Sequence, residues 1–195
     1  MFGIFSSNRR AFAPSHANAI CYSGYREGQS PLDGVYPGEE QVREDLHLLA
    51  RHWRYLRVYD CSVHAETVLR VIRKDRLPLQ VMLGMGLGAE VSNPNCPWGG
   101  HYPDEVLAAN RRANNAELDR IASLSRRYRR EVMAVSIGNE ASVDWNDHMV
   151  PVDRLIEFAR TLRQRARHPV TFCENYVPWT DKLKPLAPWL DLIGV

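Results

Sequence analysis

Two hydrophobic patterns alternate along this chain. Short, nearly continuous apolar runs are typical of strands that are buried on both faces, and the chain has them at Ala19–Tyr25, Tyr55–Tyr59, Leu79–Leu83, Val132–Ile137, Val170–Cys173 and Leu192–Val195. Stretches with apolar residues three or four positions apart are typical of amphipathic helices, and they lie between the strands at Gly38–Trp53, His64–Arg76, Pro103–Arg130, Val152–Arg167 and Lys182–Leu190. The last stretch is interrupted by Pro185 and Pro188.

Alternating strands and helices with long connections predict an α/β fold with a parallel sheet. An open, doubly wound sheet can be complete with six strands, whereas a (β/α)₈ TIM barrel needs eight strands and typically about 250 residues. On the barrel interpretation, this chain of 195 residues holds about six of the eight βα units and stops in strand six. We expect an N-terminal extension over residues 1–18 and one partial barrel domain over residues 19–195.

The amino-acid composition and charge argue against several classes of protein function. The chain is 45% hydrophobic and 25% charged, which is typical of a globular protein. A net charge of +2 argues against a nucleic-acid binder, and no apolar run approaches the about 20 residues of a membrane-spanning helix. The segment Met1–Arg10 is not a secretory signal, because its apolar residues precede its arginines. By itself the sequence therefore predicts a cytoplasmic location.

Candidate site residues follow the predicted strands, because catalytic residues of parallel α/β folds gather at the carboxyl ends of strands. The polar and charged candidates are Tyr22, Glu27, Arg57, Tyr59, Asp60, Asn139, Glu140 and Glu174. Tryptophan faces stack on sugar rings, and three tryptophans lie in the loops after strands three, four and five: Trp98, Trp145 and Trp179. Each of these indoles could equally cover the core. The set predicts a carbohydrate site.

The strongest signal is Gly138-Asn139-Glu140, which directly follows the fourth predicted strand. A carboxylate at the end of a buried strand needs a partner or a function, since burying it unpaired costs several kcal/mol. A salt bridge to Arg57 is the structural interpretation. Glycoside hydrolysis is the functional one, because it needs one carboxyl to protonate the leaving oxygen and a second to attack or to activate water. On the sequence alone, Glu174 is that second carboxyl.

Two other motifs have alternative interpretations. Residues 84–89 fit the pattern G-x-G-x-x-G/A, but the prolines that follow exclude the helix that a dinucleotide site requires. Cys61, His64, Cys96 and His101 could form a zinc site, and Cys61 with Cys96 could form a disulfide. We expect these four residues to lie in loops without forming a disulfide or a metal site, and we expect no cofactor.

Five short stretches in order make the chain resemble the bacterial branch of glycoside hydrolase family 17, the β-1,3-glucanases and glucanosyltransferases. They are Ile20–Pro31, Leu56–Asp60, Val81–Gly84, Val135–Glu140 and Pro169–Phe172. The resemblance implies a (β/α)₈ barrel, a β-glucan or oligosaccharide substrate and a retaining mechanism. It assigns the acid/base to Glu140 with Asn139 beside it, and the nucleophile to a strand-seven glutamate beyond Val195. Glu174 then becomes a substrate-binding or charge-tuning group.

The resemblance also implies a protein of the cell envelope or the exterior, in contrast to the missing export signal. Two alternatives from other classes stay open. One is a non-catalytic carbohydrate-binding partial barrel, and the other is an unrelated α/β enzyme whose catalytic pair is Glu140 and Glu174. Oligomeric state does not follow from the sequence.

Overall fold

A computed structural model describes residues 17–195, so that residues 1–16 of the predicted extension lie outside the described residues. Six strands form one parallel sheet in the order β1-β2-β3-β4-β5-β6. Their bounds are β1 (Ala19–Cys21), β2 (Tyr55–Val58), β3 (Gln80–Gly84), β4 (Val132–Asn139), β5 (Val170–Cys173) and β6 (Leu192–Gly194). A doubly wound sheet reverses its strand order at a switch point, and this sheet does not. The fold is a partial (β/α)₈ barrel, as predicted.

Four long helices alternate with the strands and cover one face of the sheet. They are α1 (Glu39–Leu49), α2 (Val63–Asp75), α3 (Asp104–Arg127) and α4 (Val152–Arg165). Each buries its apolar stripe: α1 buries Val42 and Leu46, and α4 buries Leu155, Phe158 and Leu162. Between residues 17 and 195, none of the helices has both the length and the apolar character needed to cross a membrane.

The helix predicted over Lys182–Leu190 is wrong. The structure has a short helix α5 (Tyr176–Trp179) before it and a 3₁₀ turn at Ala187–Trp189 near its end, with turns between them. Pro185 and Pro188 explain the difference, because a proline lacks the N–H that an α-helix needs and its ring clashes with the preceding turn. The apolar spacing there reflects burial of Leu183 and Leu186 from a loop.

A buried ion pair holds the loop between β3 and α3. The Arg154 guanidinium of α4 donates from Nε to Glu90 Oε2 over 2.7 Å, and both side chains are almost fully buried. Asn114 and Asn115 of α3 bond to the Glu90 carboxylate and the Arg154 guanidinium, respectively. Breaking a buried pair leaves an uncompensated charge, at a cost of about 3–5 kcal/mol. This pair therefore fixes the loop at the sheet edge that carries the candidate site.

Strand β4 ends in a glycine that the packing requires. Gly138 has a φ of +150°, and a Cβ there would lie 2.7 Å from Leu87 Cδ1 and 3.3 Å from Phe172 Cε2. No side chain fits at the first distance without displacing Leu87. Gly138 thus lets the end of β4 pass between the β3 loop and β5, immediately before Asn139 and Glu140.

We predict that Gly138→Ala lowers the free energy of unfolding by about 2 kcal/mol or more, through the sum of backbone strain and overpacking. The matched control is Gly28→Ala, since Gly28 has a φ of +74° but open space around its Cα. The control should lose about 1 kcal/mol, from backbone strain alone. Urea denaturation of both variants measures the difference, and equal losses would show that the Leu87 contact is unimportant.

Candidate active site

Side chains from four strand ends line one cavity at the carboxyl edge of the sheet. We call it the Glu140 cavity; it has a volume of about 220 Å³ and is lined by Arg57, Asn139, Glu140, Cys173, Glu174, Asn175, Tyr176 and Val195. Four of the residues singled out from the sequence therefore meet here. Arg57 comes from β2, Asn139 and Glu140 from the end of β4, and Glu174 from the end of β5.

The backbone of Glu140 is left-handed, with a φ of +46°. Such a conformation costs a residue with a side chain about 1–3 kcal/mol, so the surroundings must impose it. Two hydrogen bonds do so. The Glu140 N–H donates to the Cys173 carbonyl of β5 over 2.9 Å, and the Glu140 carbonyl accepts from the Asn146 side chain. The turn leaves the Glu140 side chain exposed at the cavity.

Arg57 bonds to Asn139, and no ion pair joins it to Glu140 among the described residues. Its Nη2 donates to Asn139 Oδ1, and its guanidinium lies 4.7 Å from the centre of the Tyr59 ring. The salt bridge offered as a structural explanation of Glu140 is therefore absent from the described part of the chain. Because Asn139 Oδ1 accepts from Arg57, the Asn139 Nδ2 group is left as a donor at the cavity.

Glu174 is the buried carboxyl of the cavity, with 3% of its surface exposed. Its Oε2 accepts from the Ser142 N–H and hydroxyl over 2.8 and 2.7 Å, and its Oε1 accepts from the Asn175 N–H over 2.7 Å. Burial raises the pKa of Glu174, and the negative charge of Glu140 acts in the same direction. The three hydrogen bonds lower the pKa and only partly offset burial.

Ser142 is held from both sides, which fixes the loop that follows Glu140. Glu174 binds its N–H and hydroxyl, and Lys182 Nζ donates to its carbonyl over 2.5 Å. Lys182 also pairs with Asp144 in the same loop. The segment after β5 thus fastens the segment after β4, and Glu174 is the buried part of that connection.

Besides Tyr59, three predicted polar residues lie outside the Glu140 cavity. The Tyr22 side chain is buried and its hydroxyl donates to Asp45 of α1 over 2.8 Å, so it faces a helix. Asp60 accepts from the Ser62 N–H over 3.0 Å at the start of α2. Glu27 is exposed in the loop after β1. All three residues lie in the loops after β1 and β2, so strand register does not fix where their side chains point.

The aromatic candidates divide into three groups. Tyr59 lines a second cavity beside the first. Trp98 and Trp145 lie on loops with 66% and 43% of their surface exposed. Trp179 packs edge-on against Phe172 at 6.0 Å between ring centres and donates to the Gly194 carbonyl over 3.3 Å. Trp179 therefore covers the core, which was one of the two interpretations of these indoles.

Several residues at this edge had no signal in the sequence. Ser142, Asn146 and His148 all belong to the loop between β4 and α4, which has no periodic pattern. His148 bonds to the Asn139 carbonyl over 3.2 Å and to Asp147 Oδ1 over 2.9 Å. Their partners are distant strand ends and neighbouring loop residues, so their roles follow from the folded loop.

The cysteines do not pair. All four are free, and Cys61 is buried with its Sγ 3.2 Å from the Gly84 carbonyl. His64 packs instead against Tyr22 and Tyr25 at the start of α2. Within residues 17–195, no group of three or more His, Cys, Asp and Glu side chains is arranged to hold a metal ion.

Comparison with known proteins gives matches in structure alone. No protein-family model matches the chain, and no curated protein matches it in sequence. An endo-laminarinase from Formosa Hel1_33_131 has a TM-score of 0.71 at 22% identity, covering 91% of this chain and 48% of that protein. The family 17 β-1,3-glucanosyltransferase from Rhizomucor miehei has a TM-score of 0.60 at 15% identity, covering 91% and 55%.

A third similar structure is the family 113 β-mannanase from Alicyclobacillus acidocaldarius. Its TM-score is 0.59 at 15% identity, with coverage of 94% of this chain and 62% of the mannanase. The chain thus spans about half to three-fifths of the length of these structures. The three are glycosidase-type TIM barrels, and at these identities the likeness is one of fold.

We predict a pH-dependent stability that depends on Glu174. Its raised pKa means that folding favours the neutral carboxyl, so its contribution is fully present below the unfolded pKa and is lost as pH rises through the folded pKa. The free energy of unfolding of the wild type relative to Glu174→Gln should therefore fall over the range from about pH 4, the ordinary pKa of a glutamate, upward. Urea denaturation across this range measures that difference.

Ser142→Ala tests the link between Glu174 protonation and stability in a second way. It removes the hydroxyl donor that lowers the Glu174 pKa in the folded state, so the fall in stability should extend to higher pH. A wild type that keeps a constant stability difference from Glu174→Gln at every pH would show that the carboxyl does not titrate with folding.

Proposed function

We propose that this chain belongs to a retaining β-glucan glycosidase or transglycosidase, acting on β-1,3 linkages, with Glu140 as its acid/base. The observation that supports this most directly is the left-handed turn that holds the Glu140 carboxyl at a cavity at the carboxyl edge of a barrel sheet. Strain of this kind is concentrated at functional sites. The similar structures include an endo-laminarinase and a β-1,3-glucanosyltransferase.

The reaction assigns a distinct task to each side chain of the cavity. Glu140 protonates the glycosidic oxygen as the bond breaks and later removes a proton from the incoming water or sugar hydroxyl. Asn139 offers its Nδ2 group to a sugar hydroxyl, because Arg57 holds its Oδ1. Transfer and hydrolysis differ only in the acceptor, so both fit the same site.

Glu174 is proposed to position the site and not to attack the sugar. An attacking carboxylate needs a free oxygen close to the anomeric carbon. Both oxygens of Glu174 accept hydrogen bonds, and the residue is almost fully buried. The resemblance to glycoside hydrolase family 17 instead assigns the nucleophile to a seventh strand. The proposal therefore requires a carboxylate from outside the six strands of this chain.

The acid/base role is tested with Glu140→Gln. The substitution is made in a longer polypeptide that contains this chain and also a seventh strand with the attacking glutamate. Turnover of unactivated β-1,3-glucan should fall by about 10²-fold or more, because departure of a poor leaving group needs the proton. Substrates with an activated phenolic leaving group should lose much less in the glycosylation step. Glu44→Gln is the control, since the Glu44 side chain is 82% exposed on α1. Near-normal turnover of glucan by Glu140→Gln would refute the assignment.

An activity assay on the 195-residue chain alone distinguishes the proposal from the alternative in which Glu140 and Glu174 are the catalytic pair. It is expected not to hydrolyse laminarin, because the second carboxylate of the retaining route is missing. Hydrolysis that is lost in both Glu140→Gln and Glu174→Gln would instead identify those two as the catalytic pair. Both line the same cavity, which is the observation that favours this alternative.

A further inference from the structure

Another cavity lies at the opposite end of the strands from Glu140. It has a volume of about 640 Å³, and two of its lining residues, Leu79 and Glu131, directly precede β3 and β4. Arg73 and Arg127 reach it from the last turns of α2 and α3. We call it the arginine cavity. Its charged lining residues are Arg73, Arg76, Arg127, Arg129, Arg130 and Glu131.

Three of the five arginines have no carboxylate partner among residues 17–195. Glu131 accepts from Nε and Nη2 of Arg73 over 3.2 and 2.8 Å, and Arg127 pairs with Glu66 over 2.8 Å. The three that remain unpaired in this part of the chain are Arg76, Arg129 and Arg130. The whole chain is nearly neutral, with 25 basic and 23 acidic residues. The excess of positive charge at this cavity is therefore a local feature.

The ends of two helices account for only part of this charge. The exposed carbonyls at the end of a helix attract cations, and Arg73 uses them, since its Nη2 donates to the Arg127 carbonyl. Arg129 and Arg130 come after the end of α3, and within the described residues their side chains donate to no carbonyl. Helix-end electrostatics does not explain why these two are arginines.

The backbone of Arg76 is left-handed, with a φ of +53°, where α2 ends. Glycine is the usual residue in this conformation, because a side chain is strained there. The closing bonds of the helix run from the N–H groups of Arg76 and Leu77 to the carbonyls of Arg73 and Ile72. A glycine at position 76 would make the same bonds. The helix therefore does not require the Arg76 side chain, and that side chain lines the cavity.

The deeper part of the arginine cavity is apolar. Ile72 and Leu79 each have 2% of their surface exposed, and Leu77 is half-buried. Arg73 is fixed beside them, because its guanidinium lies 4.3 Å from the centre of the Tyr128 ring as well as pairing with Glu131. Apolar walls lower the local dielectric constant, so the arginines attract an anion more strongly here than on an open surface.

The lining favours a small ligand over a macromolecule. A membrane contact needs exposed apolar anchors, and in the described part of the chain none of the large exposed apolar side chains lines this cavity. A single-stranded nucleic acid needs aromatic faces on which its bases stack. The Tyr128 ring is 2% exposed and lies under the guanidinium groups of Arg73 and Arg127.

We propose that the arginine cavity binds a small, soluble molecule that carries two or more phosphate groups. Guanidinium groups bind phosphate oxygens through two parallel hydrogen bonds. Three of them without carboxylate partners around one space favour a ligand with several negative charges over a monoanion. The site lies at the other end of the strands from Glu140 and is independent of the proposed glycosidase function.

The test is a calorimetric titration of the 195-residue chain with inorganic pyrophosphate at low ionic strength. Pyrophosphate should bind at one site, at least about tenfold more tightly than acetate. In an NMR titration it should shift the amide signals of Leu77, Arg130 and Glu131, and it should leave that of Gly194 unchanged. No binding of pyrophosphate, or shifts confined to residues away from the arginine cavity, would overturn the proposal.

Two double variants with the same change in net charge locate the binding. Arg129→Gln/Arg130→Gln should weaken pyrophosphate binding by about tenfold or more, and its fold should persist because both side chains are exposed and unpaired in the described structure. Arg112→Gln/Arg160→Gln is the control, since both arginines are exposed and lie outside the cavity. Its affinity should stay within about twofold of the wild type. Equal weakening in the two would show an effect of overall charge alone and refute the site.

Two further probes distinguish a small ligand from a macromolecule. They are vesicles of phosphatidylglycerol in phosphatidylcholine and a short single-stranded oligonucleotide. Pyrophosphate should bind more tightly than either of them. Tighter binding of vesicles or oligonucleotide, weakened by Arg129→Gln/Arg130→Gln, would identify the arginines as a membrane or nucleic-acid contact and overturn the proposal.

Discussion

The left-handed backbone at Glu140 is the constraint on which the candidate site depends. A φ of +46° at a glutamate is unfavourable, and the parallel pairing of β4 with β5 imposes it through the bond from the Glu140 N–H to the Cys173 carbonyl. Gly138 lets the strand end approach close enough for that pairing. The same turn directs the Glu140 side chain to the cavity. The backbone conformation of Glu140 therefore depends on the strand pairing and, in turn, places the candidate catalytic side chain.

Two carboxyls share the Glu140 cavity but occupy different environments. Glu140 is exposed, whereas Glu174 is buried and accepts three hydrogen bonds from Ser142 and Asn175. Environments that differ in this way assign different roles to neighbouring carboxyls. Glu174 fastens the loop that carries Glu140, and Lys182 fastens the same loop from the other side. The exposed carboxyl stays available to a substrate because the buried one fixes the backbone around it.

The sequence predicted the barrel-type fold because strand burial leaves a direct pattern, and β5 lies at the predicted residues. It failed at Lys182–Leu190, where the apolar spacing suggested a helix and the prolines forbid one. Polar residues at the carboxyl ends of parallel strands were expected to lie together, because register fixes where strand ends lie. Four of them line one cavity: Arg57, Asn139, Glu140 and Glu174. The sequence could not anticipate that Tyr22 faces Asp45, or that Ser142 and His148 lie at the site. Those placements depend on loop conformation, which no periodic pattern encodes.

The central claim is that Glu140 meets a glycosidic oxygen. A crystal structure of the Glu140→Gln chain soaked with a neutral β-1,3-glucan oligosaccharide tests it most directly. We expect a glycosidic oxygen within hydrogen-bond reach of the residue 140 side chain, about 2.6–3.2 Å away. An oligosaccharide bound at the opposite end of the strands, or with only its hydroxyls near residue 140, would contradict the account.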